Sequence, residues 1–275
     1  MIRFLRSPLI AAIVTALLLI SVFLLVRYHD VTLRHGSFTS GYFLIGAVFF
    51  LAAFSLRKKL SFIPLGSAAA WMRVHVLVGV SAMAIFALHV GIRWPNGIFE
   101  SILFTLFVSV SLSGLYGLYL TKTVPKKLSK LREEIIFERI PFFRSLVRDE
   151  AHALVVGLVT KSPADTLADF YTEELTSYFV RPRGLWYQMR PTSGRRNQLR
   201  NRLADLQRYC SPEEKEVTGR LERLIDSRDD LDYHAAMQGK LKLWLFAHIG
   251  LTCALVVVAV IHAIMAHAFR GGGVL

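Results

Sequence analysis

The chain has 275 residues, 53% of them hydrophobic, and its mean hydropathy is +0.44. Its formal charge of +13 raises the question of nucleic acid, but 18 of the 20 acidic and 22 of the 33 basic residues lie between Lys122 and Lys240, so this segment carries only +4. The remaining positive charge flanks long apolar runs, where Lys and Arg set membrane topology, and this argues against a nucleic-acid partner.

Long apolar runs predict an all-α integral membrane bundle of about five transmembrane helices, at about 8–27, 38–56, 72–92, 100–121 and 241–269. The first run is nearly twenty residues long with no small-residue cleavage pattern behind it. It reads as an uncleaved anchor rather than a signal peptide. The second, "FTSGYFLIGAVFFLAAF", is short and opens on polar residues. Arg3 and Arg6 precede the first run, "RKK" follows the second, Lys122, Lys126, Lys127 and Lys130 follow the fourth, and Lys240 and Lys242 open the fifth. The opposite loops carry only Arg27, Arg34, Arg93 and Arg270. This asymmetry places the N-terminus in the cytoplasm and the C-terminus outside an inner (cytoplasmic) membrane, with the third and fifth spans running in the same direction.

The expected organisation is therefore residues 1–121 as four spans, 122–240 as a cytoplasmic helical insert, and 241–275 as the fifth span with a short outer tail. The insert alternates charged helical stretches such as "RRNQLRNRLADLQRY" with turns at "RPRG" and "RPTSG". It contains no GxGxxG, no phosphate-binding loop and no zinc-finger spacing. The stretch "IPFFRSLV" fits either a membrane surface or the insert's own core.

Two apolar runs, "HVLVGVSAMAIFALH" (75–89) and "HIGLTCALVVVAVIH" (248–262), each carry a histidine at both ends. Fourteen residues fall about 40° short of four full helical turns and rise about 21 Å, so each pair shares one face with one imidazole near each membrane surface. With the two spans parallel, His75 meets His248 at the cytoplasmic level and His89 meets His262 at the outer level. Two facing imidazoles can supply both axial ligands of one haem iron. Trp71 and Trp244, each four residues before an inner histidine, match the two spans in depth. Gly79 and Ala82 lie in the row from His75 to His89 and leave room for a flat porphyrin, as Gly114 and Gly117 in "SGLYG" do on the fourth span. Arg93, placed one turn past His89, is suited to meet haem propionates.

Each of these residues has an ordinary reading as well. A lone membrane histidine is more often a packing residue or part of a proton relay. Arg93 reads equally as an interface anchor, and the three glycines as helix-packing positions. The interval from His234 to His248 is also fourteen, although His234 in "DLDYH" lies outside the apolar run. His267 sits about 140° around the helix from His262 and faces elsewhere. His29, His35 and His152 read as solvated. Cys210 and Cys253 lie in such different surroundings that neither a disulfide nor a shared metal site is expected. With no CxxCH, haem would be held without covalent attachment.

The double pair His75/His89 and His248/His262 resembles the membrane-embedded di-haem b-type cytochromes. Among them, respiratory cytochrome b and the transmembrane domain of ferric reductases and NADPH oxidases share this arrangement, the latter more closely. The resemblance covers about 150 membrane residues. It implies two bis-histidine haems b and a role as an electron-carrying subunit, not itself catalytic, of an oxidoreductase complex. The sequence departs from these families in three ways: it runs out soon after the fifth span, shows no flavin- or NADPH-binding part, and shows no PEW-type quinone motif.

The expected function is transfer of electrons across the membrane between a quinol or an iron–sulfur or flavin reductase and a partner such as a multihaem cytochrome c, with lipid around the spans. A different class remains open: a haem-free transporter or proton-relay protein whose four histidines line a polar path. A third is a membrane-anchored scaffold whose work lies in 122–240.

Overall fold

The computed structural model describes residues 8–31, 36–57, 67–91, 93–129, 131, 135–160 and 165–269. Every regular element among them is a helix. They are α1 (Pro8–Val31), α2 (Gly36–Arg57), α3 (Ala68–Val90), α4 (Ile98–Leu128), α5 (Ile140–Val159), α6 (Asp165–Phe170), α7 (Thr176–Val180), α8 (Leu185–Met189), α9 (Gly194–Leu206) and α10 (Pro212–Ala268). A 3₁₀ turn at Phe137–Arg139 leads into α5, and a π turn at Tyr171–Leu175 joins α6 to α7. Four helical stretches, Gly36–Phe54, Ala68–Val90, Ile98–Leu128 and Pro212–Ala268, are long and apolar enough to cross a membrane, and Ile13–His29 is a shorter apolar one. His35 of the sequence reading lies outside the described residues.

The chain divides into two compact units, one of residues 1–119 with 244–275 and one of residues 120–243. In the first unit the helices turn large apolar side chains outward. Leu17, Leu24, Leu112, Val257 and Ile264 are all exposed, as expected of surfaces whose solvent is lipid hydrocarbon. Hydroxyls on these helices are satisfied locally, because no water is at hand in an apolar medium. Ser21 donates to the Leu17 carbonyl at 2.8 Å, Ser81 to Leu77 at 3.0 Å, and Thr252 to His248 at 2.7 Å. A small core joins Val48 of α2, Ala82 of α3, Phe107 of α4 and Leu255 of α10, with Phe86 stacked on Phe107 at 4.0 Å between ring centres. Val22 and Val26 of α1 pack with Ile85 of α3 in a second cluster.

The second unit has its own core. Ala151 and Val155 of α5, Leu167 of α6, Leu199 and Leu203 of α9, and Leu221 and Ile225 of α10 are buried together. Phe142 and Leu146 of the "IPFFRSLV" stretch remain exposed, while Ile140 is buried. The π turn adds a residue between α6 and α7, and the Thr176 hydroxyl bonds five residues back to the Tyr171 carbonyl at 3.0 Å. The widened turn keeps Tyr171, Leu175, Tyr178 and Phe179 on the buried side.

A buried charge cluster crosses this core. The carboxylate of Asp232, fully shielded from solvent, lies 2.6 Å from Arg144, 2.9 Å from Arg183 and 3.0 Å from Arg228. Arg183 also lies over the rings of Tyr178 and Tyr187. Burial pushes the Tyr178 and Tyr187 hydroxyls and the Asp229 carboxyl up from their ordinary ranges.

Candidate functional site

All four paired histidines sit in the first unit, on α3 and α10. The ends of α3 place one imidazole in its first two turns and the other in its last. Ser67 caps the start, its hydroxyl accepting from the Ala70 amide at 3.3 Å. Gly91 ends the helix in the left-handed region with φ 66°, its amide donating to the Ala87 carbonyl at 3.1 Å. A residue with a side chain is strained in that conformation, so glycine is the natural stop there.

The structure brings His89 and His262 together. Their ring centres are 6.4 Å apart and their planes are nearly perpendicular, at 88°. Two imidazoles this close, one from each helix, could together ligate one bound group. His75 and His248 occupy the corresponding positions on α3 and α10, fourteen residues before His89 and His262, so each level takes one histidine from α3 and one from α10.

The surroundings differ between the levels. At the His89/His262 level, His89 Nδ1 lies 3.0 Å from the hydroxyl of Ser40, a residue of α2 that is 1% exposed, and Phe99 stacks on His262 at 6.3 Å. At the His75/His248 level, His248 Nδ1 lies 3.2 Å from the Ser113 hydroxyl of α4. Trp244 stacks on His248 at 5.5 Å and its indole N–H donates to the Ser113 carbonyl at 2.8 Å. Phe54 of α2 covers His75 at 4.8 Å. The His75 Nδ1 is buried with no hydrogen-bond partner among the described residues. An orphaned buried ring nitrogen is costly in a purely packing histidine.

Midway between the levels, Ala82 stands seven residues from each α3 histidine and Leu255 seven from each α10 histidine. Both belong to the apolar core with Val48 and Phe107. The two histidine levels are thus separated by packed hydrocarbon.

Of the glycines singled out from the sequence, Gly79 faces open space, and a Cβ added there would meet nothing within 4 Å. Gly114 lies against His248, where an added Cβ would stand 3.7 Å from Cε1. Gly117 is covered by the Trp244 indole, which occupies the space a Cβ would need. Trp244 is thus folded into the helix bundle, and Trp71 stacks on Phe50 at 6.0 Å. Arg93 is exposed and lies past the end of α3, in an irregular stretch rather than on the helical turn after His89.

His267 is engaged with α2, its Nε2 2.6 Å from the Tyr42 hydroxyl. His29 is half-buried rather than solvated, its Nδ1 2.6 Å from the Thr39 hydroxyl. His234 is 1% exposed inside the second unit, near Gln238, and His152 is exposed. Cys210 and Cys253 are both free thiols.

Ser40, Gly41, Phe54, Phe99 and Ser113 are the site residues that reading the sequence missed. Their only signal was a Ser–Gly pair inside an apolar run, which by itself reads as ordinary helix packing. Among the described residues no group of three or more His, Cys, Asp or Glu side chains could hold a metal by itself. Two axial histidines are a smaller set, with the porphyrin supplying the other ligands. No family model matches this chain, and no curated protein or solved structure matches it either.

Proposed function

We propose that this protein is a di-haem cytochrome b subunit of the inner (cytoplasmic) membrane that carries electrons from one face to the other. In this reading five spans cross the bilayer with α3 and α10 parallel, the N-terminus and residues 122–240 inside, and the C-terminus outside. His75 and His248 hold the inner haem b, and His89 and His262 the outer one. The observation that carries the proposal is the outer pair, with ring centres 6.4 Å apart in perpendicular planes.

Bound haem supplies one-electron iron chemistry, and the chain's own residues ligate it, orient it and keep water away. Gly79 leaves clearance on α3, and exposed Arg93 is a cation at the outer end, free to meet propionates. The apolar core between the two levels favours electron transfer over a proton relay, because a proton path needs polar groups or water where Ala82, Leu255 and Val48 stand. Electrons enter from membrane quinol or from an iron–sulfur or flavin reductase, and the exchange partner on the outer face is a protein such as a multihaem cytochrome c. Moving one electron fully across the membrane is worth about 2.3 kcal/mol per 100 mV, so the direction of flow is set by the partners' potentials and the membrane potential together.

The test is haem content and redox titration of the purified protein. Two acid-acetone-extractable haems per chain are expected by pyridine haemochrome. His75→Ala and His248→Ala should each lose the same haem, and His89→Ala and His262→Ala the other. A colourless protein sinks the proposal, and loss of different haems from His75→Ala and His248→Ala refutes the pairing.

A further inference from the structure

The same dipeptide meets a histidine at each level. Ser40–Gly41 on α2 faces His89, and Ser113–Gly114 on α4 faces His248. In both, the serine hydroxyl lies at hydrogen-bond distance from Nδ1, 3.0 Å and 3.2 Å. In both, the glycine's missing side chain faces Cε1, where a Cβ would stand 3.2 Å and 3.7 Å away. The two helices belong to different parts of the chain, yet they present the same two atoms' worth of chemistry to the same edge of an imidazole.

We infer that Ser40–Gly41 and Ser113–Gly114 are ring seats that fix the tautomer and angle of one axial histidine at each level; this rests on the di-haem reading above. The Ser40 hydroxyl sets the direction of its bond. Its one hydrogen has acceptors on its own helix, the Ser37 carbonyl at 3.0 Å and the Gly36 carbonyl at 3.3 Å. In the inferred arrangement the hydrogen stays there and the oxygen accepts from His89, so Nδ1 carries the proton and the Nε2 lone pair is left for the ligand side. The inference extends the same assignment to His248, whose Nδ1 lies 3.2 Å from the Ser113 hydroxyl. The glycines let the helix backbone approach the ring edge, which keeps the hydroxyl within reach.

The opposite histidines lack this arrangement. Among the described residues His75 Nδ1 is buried with no hydrogen-bond partner, and His262 lies in offset parallel contact with Phe99. Among the described residues each level therefore combines one seated histidine with one that has no such seat. An N–H that donates to an oxygen makes the other ring nitrogen a stronger donor, which favours the oxidised iron. Ser40 and Ser113 are positioning residues in this scheme, acting on the metal through the imidazole.

The experiment compares Ser40→Ala, Ser113→Ala and the corresponding threonine variants in the full-length protein, by redox titration, electron paramagnetic resonance and haem content. Ser40→Ala should raise the midpoint potential of the haem that His89→Ala removes and leave the other unchanged. Ser113→Ala should do the same for the haem that His248→Ala removes, and threonine should restore both values. Gly41→Ala should shift the resonance of the His89 haem, since its methyl meets the ring tightly. Haems present at two per chain with unmoved midpoints in both alanine variants would overturn the seats without touching the di-haem reading. Nitrogen-15 spectra of histidine-labelled protein read the tautomer whether or not haem is bound. Protonation of His89 or His248 at Nε2 instead of Nδ1 overturns the inference in either case.

Discussion

Replacing Gly117 with alanine should destabilise the helix bundle through one side chain, Trp244. The added methyl falls inside the space of the Trp244 indole, so either the helices shift or the indole leaves. Forcing an extra methyl into a packed contact costs about 1–3 kcal/mol. If the indole swings out instead, it loses its hydrogen bond to the Ser113 carbonyl at 2.8 Å, worth about 1 kcal/mol. It also loses its stack on His248, worth about 1 kcal/mol more. Both routes come to about 2 kcal/mol, offset by up to about 1 kcal/mol because alanine is the better helix former.

The assay is a double-mutant cycle with Trp244→Ala, measured by reversible unfolding in mixed micelles. With the indole gone, Gly117→Ala should be neutral or slightly stabilising, which leaves a coupling of about 2 kcal/mol. Strict additivity of the two substitutions would refute the reasoning. It would mean that Gly117 does not make room for Trp244, and that Ser113 and His248 are held in place some other way.

Other predictions concern topology, the second unit and the histidines outside the pairs. Reporter fusions within 122–240 and after Leu275 should give opposite compartments, and a shared compartment would refute the proposed orientation. Asp232→Ala leaves the guanidinium groups of Arg144, Arg183 and Arg228 around an empty position and should cost about 3–5 kcal/mol, seen as rapid proteolysis of residues 120–243. By contrast, Glu138→Gln removes a solvent-exposed pair with Lys242 and should leave proteolysis and unfolding unchanged. His267→Ala and His234→Ala should keep both haems, because His267 is engaged with Tyr42 and His234 belongs to the other unit; haem loss from either would require a different ligand set.

The membrane-length helices were legible because they follow from local chemistry. A run of twenty apolar residues can satisfy its backbone only by closing its own hydrogen bonds, whatever surrounds it. The facing of His75 toward one end and His89 toward the other follows in the same way from 3.6 residues per turn. The boundary between insert and fifth span, expected near Lys240, carries no break in the helix. The charged stretch before it and the apolar stretch after it form the single helix Pro212–Ala268, because a change of polarity alone does not interrupt a helix that lacks a breaking residue.

What surrounds those histidines is decided by tertiary contacts. Ser40 meets His89 from 49 residues away and Ser113 meets His248 from 135 away. A serine in an apolar helix looks the same in sequence whether its oxygen serves only its own carbonyls or also a distant ring. Trp244 shows the same limit, since its position in the sequence suggests a membrane-surface anchor, while the groove opened by Gly117 on α4 turns its indole inward. Arg93 was placed on a continuing helix, but the left-handed Gly91 ends α3 at Val90. Along each helix the amino-acid sequence determined the spacing and the face of the four histidines, because helix geometry is set by neighbouring residues. Which side chains reach those rings from other helices was settled only by packing, because the contacts join residues that are far apart in the chain.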